Sequence, residues 1–141
     1  MFRIVLLGAT GHFGARIANR LAGAMPPGTE LLLTSRSSTR ARALAESFGK
    51  PFILGGALDH RAPGFDTALA RLEPDLVIHT AGPFQGQDYT VAEACIACGS
   101  HYVDLADGRS FVREFGRLNA AARSADLLLV TGASTLPGVS S

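Results

Sequence analysis

The 141-residue sequence predicts a doubly wound α/β fold: one domain over residues 1–141, built on a parallel six-stranded sheet in the order 3-2-1-4-5-6. Three observations predict it. Short β-type runs alternate with longer helix-type segments from end to end. Most of those runs are continuously apolar, as strands covered on both faces must be. And the stretch L-G-A-T-G-H-F-G at 7–14 sets three glycines, Gly8, Gly11 and Gly14, between the first apolar run and the first helical pattern.

The elements follow in order. Strand candidates are Phe2–Leu7, Glu30–Ser35, Phe52–Leu54, Leu76–Thr80, Tyr102–Leu105 and Leu127–Thr131. The first helix spans His12–Ala24, where Phe13/Ile17/Leu21 and Gly14/Ala18/Ala22 lie side by side at i, i+4 spacing as one broad apolar stripe. In the second, Thr39–Phe48, Leu44 and Phe48 share a face. Ser38 or Thr39 can cap its start, and Gly49 with Pro51 ends it. Phe65, Leu69 and Leu72 mark a short third helix. Val91, Cys95 and Cys98 mark the inner face of a fourth, and Phe111, Phe115, Leu118 and Ala122 that of a fifth. Alternation of this kind is the pattern of a parallel sheet with crossover helices.

Composition narrows the class. Hydrophobic residues make up 47% and charged residues 18%, which suits a packed domain and argues against disorder. A formal charge of +1 gives no general field for nucleic acid or membrane. No apolar stretch approaches the roughly 20 residues of a membrane span. Met1 is followed by a short apolar run broken by Arg3, unlike a signal peptide. Two cysteines are too few for a disulfide framework, so a cytoplasmic location is expected.

The glycine-rich turn carries the first functional signal. A sharp strand-to-helix turn needs one glycine, close approach of a phosphate a second, and close helix–strand packing a third. The N–H groups at the helix start, with the helix dipole behind them, then form an anion site suited to a pyrophosphate. The spacing is G-x-x-G-x-x-G rather than G-x-G-x-x-G, with Ala9 where the latter's first glycine would fall. Taken alone it could be a plain tight turn; its place after the first strand, opening a helix, points to dinucleotide binding.

The end of the second strand indicates which dinucleotide. An NAD site usually carries Asp or Glu there, accepting from the ribose 2′-hydroxyl. This chain reads L-L-L-T-S-R-S-S-T-R, with no carboxylate between Leu31 and Arg40. Ser35, Arg36 and Ser37 offer a guanidinium and hydroxyls suited to a 2′-phosphate. NADP is therefore expected over NAD.

Other candidates carry less. C-I-A-C at 95–98 lies late in a helix, where the dipole disfavours a thiolate, and no second C-x-x-C supplies further metal ligands. Buried packing is expected, and no metal. His12 lies in the phosphate turn, and His79 reads as a core or crevice residue at the end of the fourth strand; His60 and His101 are scattered. Arg109, Arg113 and Arg117 read as a solvated helix face. Asp104 and Asp107 follow the fifth strand near the crevice, without establishing acid–base catalysis. The Tyr-x-x-x-Lys pair of short-chain dehydrogenases is absent: Tyr89 is followed by Glu93 and Tyr102 by Ala106 at that spacing. The catalytic residues stay unknown.

Two further stretches, D-L-V-I-H-T-A-G-P-F at 75–84 and A-C-I-A-C-G-S-H-Y-V-D-L-A-D-G at 94–108, join G-A-T-G-H-F-G and the final V-T-G-A-S-T-L-P-G. In that order they resemble the NADP-binding Rossmann domain of saccharopine dehydrogenase-like oxidoreductases. The resemblance implies that Gly8 to Gly14, with Thr10, His12 and Phe13 among them, hold the pyrophosphate. It implies Ser35 to Ser37 at the adenosine ribose, Asp59 near the adenine, and Thr80, Ala81 and Gly82 along the path to the nicotinamide. It further implies a C-terminal substrate domain, absent from this chain. The expected function is the cofactor half of an enzyme that passes hydride between nicotinamide and an imine, amino acid or other carbonyl-derived substrate. The alternative is a non-enzymatic NADP-sensing module. The expected partner is a small-molecule substrate in the full-length protein, with neither nucleic acid nor membrane; a homodimer stays open.

Overall fold

A computed structural model describes residues 1–81, 89–105 and 118–132. The first strand and helix are β1 (Phe2–Leu7) and α1 (His12–Ala24), followed by β2 (Thr29–Ser35), α2 (Ser38–Ser47) and β3 (Ile53–Ala57). Then come α3 (Phe65–Arg71), β4 (Leu76–His79), α4 (Thr90–Cys98), β5 (His101–Asp104), α5 (Asn119–Ser124) and β6 (Leu129–Val130). All strand pairs are parallel, and the sheet order is β3-β2-β1-β4-β5-β6. This is the predicted doubly wound arrangement. Its order reverses between β1 and β4, and there the crevice opens at the carboxyl ends of the strands.

The continuous apolar runs are explained by two cores. Ile4 and Leu6 of β1 point to one face, where Ala18 and Ala22 of α1 and Ala45 of α2 pack with Leu31, Leu33 and Ile78. Val5 and Leu7 point to the other, against Phe65 and Leu69 of α3 and Val91 and Cys95 of α4. With a side-chain period of two, a strand buried on both faces leaves few positions for polar residues, and those it has must be hydrogen-bonded.

Three local expectations are corrected. The α1 stripe is narrower than predicted: Gly14, Ala18 and Ala22 are buried, whereas Phe13 is 56% exposed. Small residues let the helix lie close to the sheet, which leaves the large row on its flank. The cap of α2 is Ser37, whose hydroxyl accepts the Arg40 N–H at 3.2 Å, in place of Ser38 or Thr39. And β3 runs on through Gly55 and Gly56. These glycines belong to the strand because α2 presses on it: a Cβ at Gly55 would stand 2.4 Å from the Ala41 carbonyl oxygen.

At the amino ends of the strands the charges are paired. Arg3 Nε donates to Glu30 at 2.7 Å, the Arg3 guanidinium also reaches the Leu72 carbonyl, and the Arg3 N–H donates to the Asp75 carboxylate at 2.7 Å. Lys50 Nζ donates to the Ala22 carbonyl at the end of α1. Phe111, Phe115, Arg109, Arg113, Arg117 and Asp107 lie outside the described residues, whereas Leu118 and Ala122 are buried as predicted for the fifth helix. No helix among the described residues is long and apolar enough to cross a membrane.

Candidate functional site: a crevice at the carboxyl ends of β1, β2 and β4

Each glycine of the first turn answers a different demand. Gly8 has φ +76°, a conformation that L side chains rarely adopt, and a Cβ there would lie 2.9 Å from the Ala81 backbone. A Cβ at Gly14 would lie 2.0 Å from the Gly8 carbonyl oxygen, so only glycine lets α1 approach the turn. Gly11 differs. Its φ of −77° suits any residue, and a Cβ would meet only the Gly8 oxygen, at a marginal 3.3 Å. The packing of the protein gives Gly11 little reason to be glycine.

The same turn leaves donors available. Gly11 is the N-cap of α1 and makes no side-chain cap. The Gly11 N–H donates to the Gly8 carbonyl at 3.0 Å, and the first helical bond runs from the Ala15 N–H to the Gly11 carbonyl. The N–H groups of the first turn ahead of Ala15 have no partner within the helix. With the positive end of the helix dipole they suit an anion.

A crevice of about 380 Å³ opens beside this turn. Gly8, Thr10 and Gly11 form one wall, and Thr80 and Ala81 line it at the end of β4. Ser35 and Arg36 border it at the end of β2, and Asp59 follows β3. His12, Phe13, Gly14 and Ser37 do not line it. His12 and Phe13 are exposed and meet edge to face with ring centroids 5.3 Å apart; Gly14 is buried beneath the turn. Gly82 lies outside the described residues. Leu58, His60 and Arg61 also line the crevice. These three, which the sequence motifs do not mark, lie in the crossing between β3 and α3. That crossing must pass over the strand ends to reach the other face of the sheet, and the segment A-L-D-H-R-A-P-G after a strand carries that signal.

Around Arg36 the hydroxyls are organised. Ser35 Oγ donates to the Ser37 carbonyl at 2.7 Å and accepts the Ser37 N–H at 3.1 Å. Its proton is therefore held within the turn. Ser37 Oγ, as the cap of α2, accepts a bond and keeps its own proton for another acceptor. The Arg36 side chain is exposed and forms no ion pair among the described residues. Asp59 Oδ1 accepts the Arg61 N–H at 2.9 Å, which shapes the loop opposite.

Polar side chains also order the ends of β4 and β5. Thr80 Oγ1 donates to the Leu7 carbonyl at 2.6 Å and lies 3.2 Å from that of Gly8. Asp104 is fully buried and accepts from Tyr102 Oη, Thr131 Oγ1 and the Gly132 N–H at 2.5, 2.8 and 2.9 Å. Burial first, and then the Asp104 charge, push the Tyr102 hydroxyl far above its ordinary range, so it stays protonated as a donor. Asp104 thus ties β5 to the exit of β6. The cysteines sit at the far end of α4, where burial first raises both thiols and Cys98 adds to the effect on Cys95. Among the described residues no three His, Cys, Asp or Glu side chains group as metal ligands.

The donor set fits a nicotinamide dinucleotide: a bare helix start reached over a Cβ-free wall, and a guanidinium one strand away. Comparison with known proteins agrees. The chain is 31% identical over 108 residues to the carboxyaminopropylagmatine dehydrogenase of Synechocystis, covering 76% of this chain and 26% of that protein. It is 31% identical over 144 residues to the trans-acting enoyl reductase of Mycobacterium leprae, covering 96% of this chain and 33% of that protein. It thus spans about a quarter to a third of the length of these curated relatives. Among solved structures, an NAD binding oxidoreductase from Klebsiella pneumoniae aligns with TM-score 0.62 at 23% identity, over 92% of this chain and 34% of that one. Biliverdin reductase from Synechocystis, in complex with biliverdin and NADP+, aligns with TM-score 0.60 at 22% identity, over 92% and 37%. These two likenesses establish the fold. Residues 4–130 match the saccharopine dehydrogenase NADP binding domain, and the chain belongs to that family.

Proposed function

We propose that this chain is the cofactor-binding part of an oxidoreductase that prefers NADP(H) to NAD(H). Bound, the nicotinamide carries hydride to or from an imine, amino-acid or other carbonyl-derived substrate. The residues here bind and orient it. The uncapped start of α1 takes the pyrophosphate across Gly11, and Thr80 and Ala81 border the path to the nicotinamide. Asp59 approaches the adenine. Arg36, at the edge of the crevice, pairs with the 2′-phosphate, and Ser37, next to it and outside the crevice lining, offers its free hydroxyl proton to the same group.

One observation carries the preference: the end of β2 presents an arginine free of ion pairs among the described residues where an NAD site would present a carboxylate. A charge-assisted hydrogen bond contributes about 1.5–3 kcal/mol, and exposure of Arg36 puts the gain toward the lower end. NADP should therefore bind about tenfold more tightly than NAD. Calorimetric titration of both cofactors into wild type and Arg36→Ala, at two salt concentrations, tests this. The variant should lose most of the preference by weakening NADP alone, and salt should shrink the wild-type ratio. Equal wild-type affinities, or an unchanged ratio in Arg36→Ala, would remove Arg36 as the selector.

A further inference from the structure

His79 is 1% exposed at the end of β4. Its Nδ1 accepts the Ala81 N–H at 3.3 Å, so that nitrogen carries no proton in this arrangement. The ring meets His60 edge-on at 5.0 Å and Tyr102 at 6.3 Å between centroids. A side chain that accepts from the N–H two residues onward fixes its own turn, a role more usual for Asn or Asp. Imidazole Nδ1, like Asn Oδ1, is attached at Cγ, so the two acceptors occupy similar places.

What that turn holds is the glycine wall. The Ala81 N and Cα pack so closely on Gly8 that a Cβ there would come within 2.9 Å of both. Thr80, between the two turn residues, reaches the Leu7 and Gly8 carbonyls. The Gly8 carbonyl in turn accepts the Gly11 N–H. A contiguous line of contacts therefore runs from His79 through Ala81 and Gly8 to Gly11.

We infer that His79 is a positioning residue for dinucleotide binding: its Nδ1 fixes the Thr80–Ala81 backbone on which the glycine turn rests. The inference depends on the crevice being the NADP(H) site. It separates filling space from accepting the Ala81 N–H at Nδ1.

Three variants divide those roles. His79→Asn and His79→Leu have nearly the same shape, and only Asn keeps the acceptor. His79→Phe keeps the ring bulk and loses the acceptor. NADP+ affinity and thermal unfolding are measured for each. His79→Asn should be less stable than His79→Phe yet bind within about threefold of wild type, whereas Leu and Phe should each lose about tenfold, the worth of one hydrogen bond. If Phe does not fold, the Asn–Leu pair decides alone. Equal affinities for Asn and Leu, with wild type binding normally, would overturn the inference and leave the site intact. A wild type that binds neither NADP+ nor NAD+ would overturn the site and the inference together.

Discussion

Two turns stand side by side at the carboxyl edge of the sheet, each leading from a strand into a helix. The one from β1 to α1 is glycine-rich and makes no side-chain cap; the one from β2 to α2 is serine-rich and caps itself through Ser37. In the second turn Ser35 also closes on the Ser37 backbone. Neighbouring helix starts in one sheet have thus solved the same problem oppositely. A helix whose first N–H groups are satisfied by its own serine gains stability, typically about 1 kcal/mol. A helix that leaves them open gives up that gain and keeps an anion site. The difference leaves one helix start open and closes its neighbour, and single substitutions can break it.

The largest effect belongs to Gly11. Gly11→Val should remain folded, because its backbone φ is ordinary and the nearest protein atom to a new Cβ is 3.3 Å away. NADP affinity should fall roughly a hundredfold or more, since the side chain occupies the phosphate approach and several charge-assisted bonds are lost together. Circular dichroism with calorimetry reads both arms. Unchanged affinity in a folded variant would reassign the turn to structure alone.

Gly14 should behave in reverse. Its missing Cβ leaves room for the Gly8 carbonyl, and Gly14→Ala would set a Cβ 2.0 Å from that backbone oxygen. Overpacking of this kind costs about 1–3 kcal/mol, and the rigidity of both partners puts the cost near the upper figure. Denaturant titration should show the midpoint falling with the slope unchanged. A variant as stable as wild type would mean that α1 can slide away from the turn freely.

How much of this was legible in the sequence follows the same division. The β1 turn was legible because its constraints act within seven residues: strand, three spaced glycines and helix adjoin. The sheet order was legible because apolar runs bounded by helices admit few topologies. In sequence β3 ends at Leu54, because Gly55 and Gly56 look like a stop. They are strand residues for a reason set by α2, a separate element packed across them. Likewise Phe13 looked like core because i, i+4 spacing does not say how wide a helix's buried stripe will be. His60 and Arg61 were missed as crevice residues because the path of the β3–α3 crossing depends on which face of the sheet α3 occupies. Local rules made the glycine turn readable. The opposite wall needed the assembled sheet.

The smallest effects lie in the β2 turn, where capping and binding meet on one side chain. Ser37 Oγ accepts the Arg40 N–H while its proton stays free, so it can cap α2 and donate to a 2′-phosphate at once. Ser37→Ala removes both functions and should cost about 1 kcal/mol of stability together with a few-fold of NADP affinity. Ser37→Asp separates them. Aspartate is as good an N-cap as serine and favours the helix dipole, so stability should hold. Its charge faces the same phosphate that Arg36 attracts, so NADP should weaken about tenfold while NAD, with only a hydroxyl there, is spared. Ser35→Ala provides the contrast, because its hydroxyl proton is already held by the Ser37 carbonyl, and its effect on NADP should be indirect and smaller. Thermal melts and paired NADP and NAD titrations of the three variants give the order. If Ser37→Asp kept its selectivity for NADP, the 2′-phosphate would have to lie away from this turn, and the self-capped loop would be structural throughout.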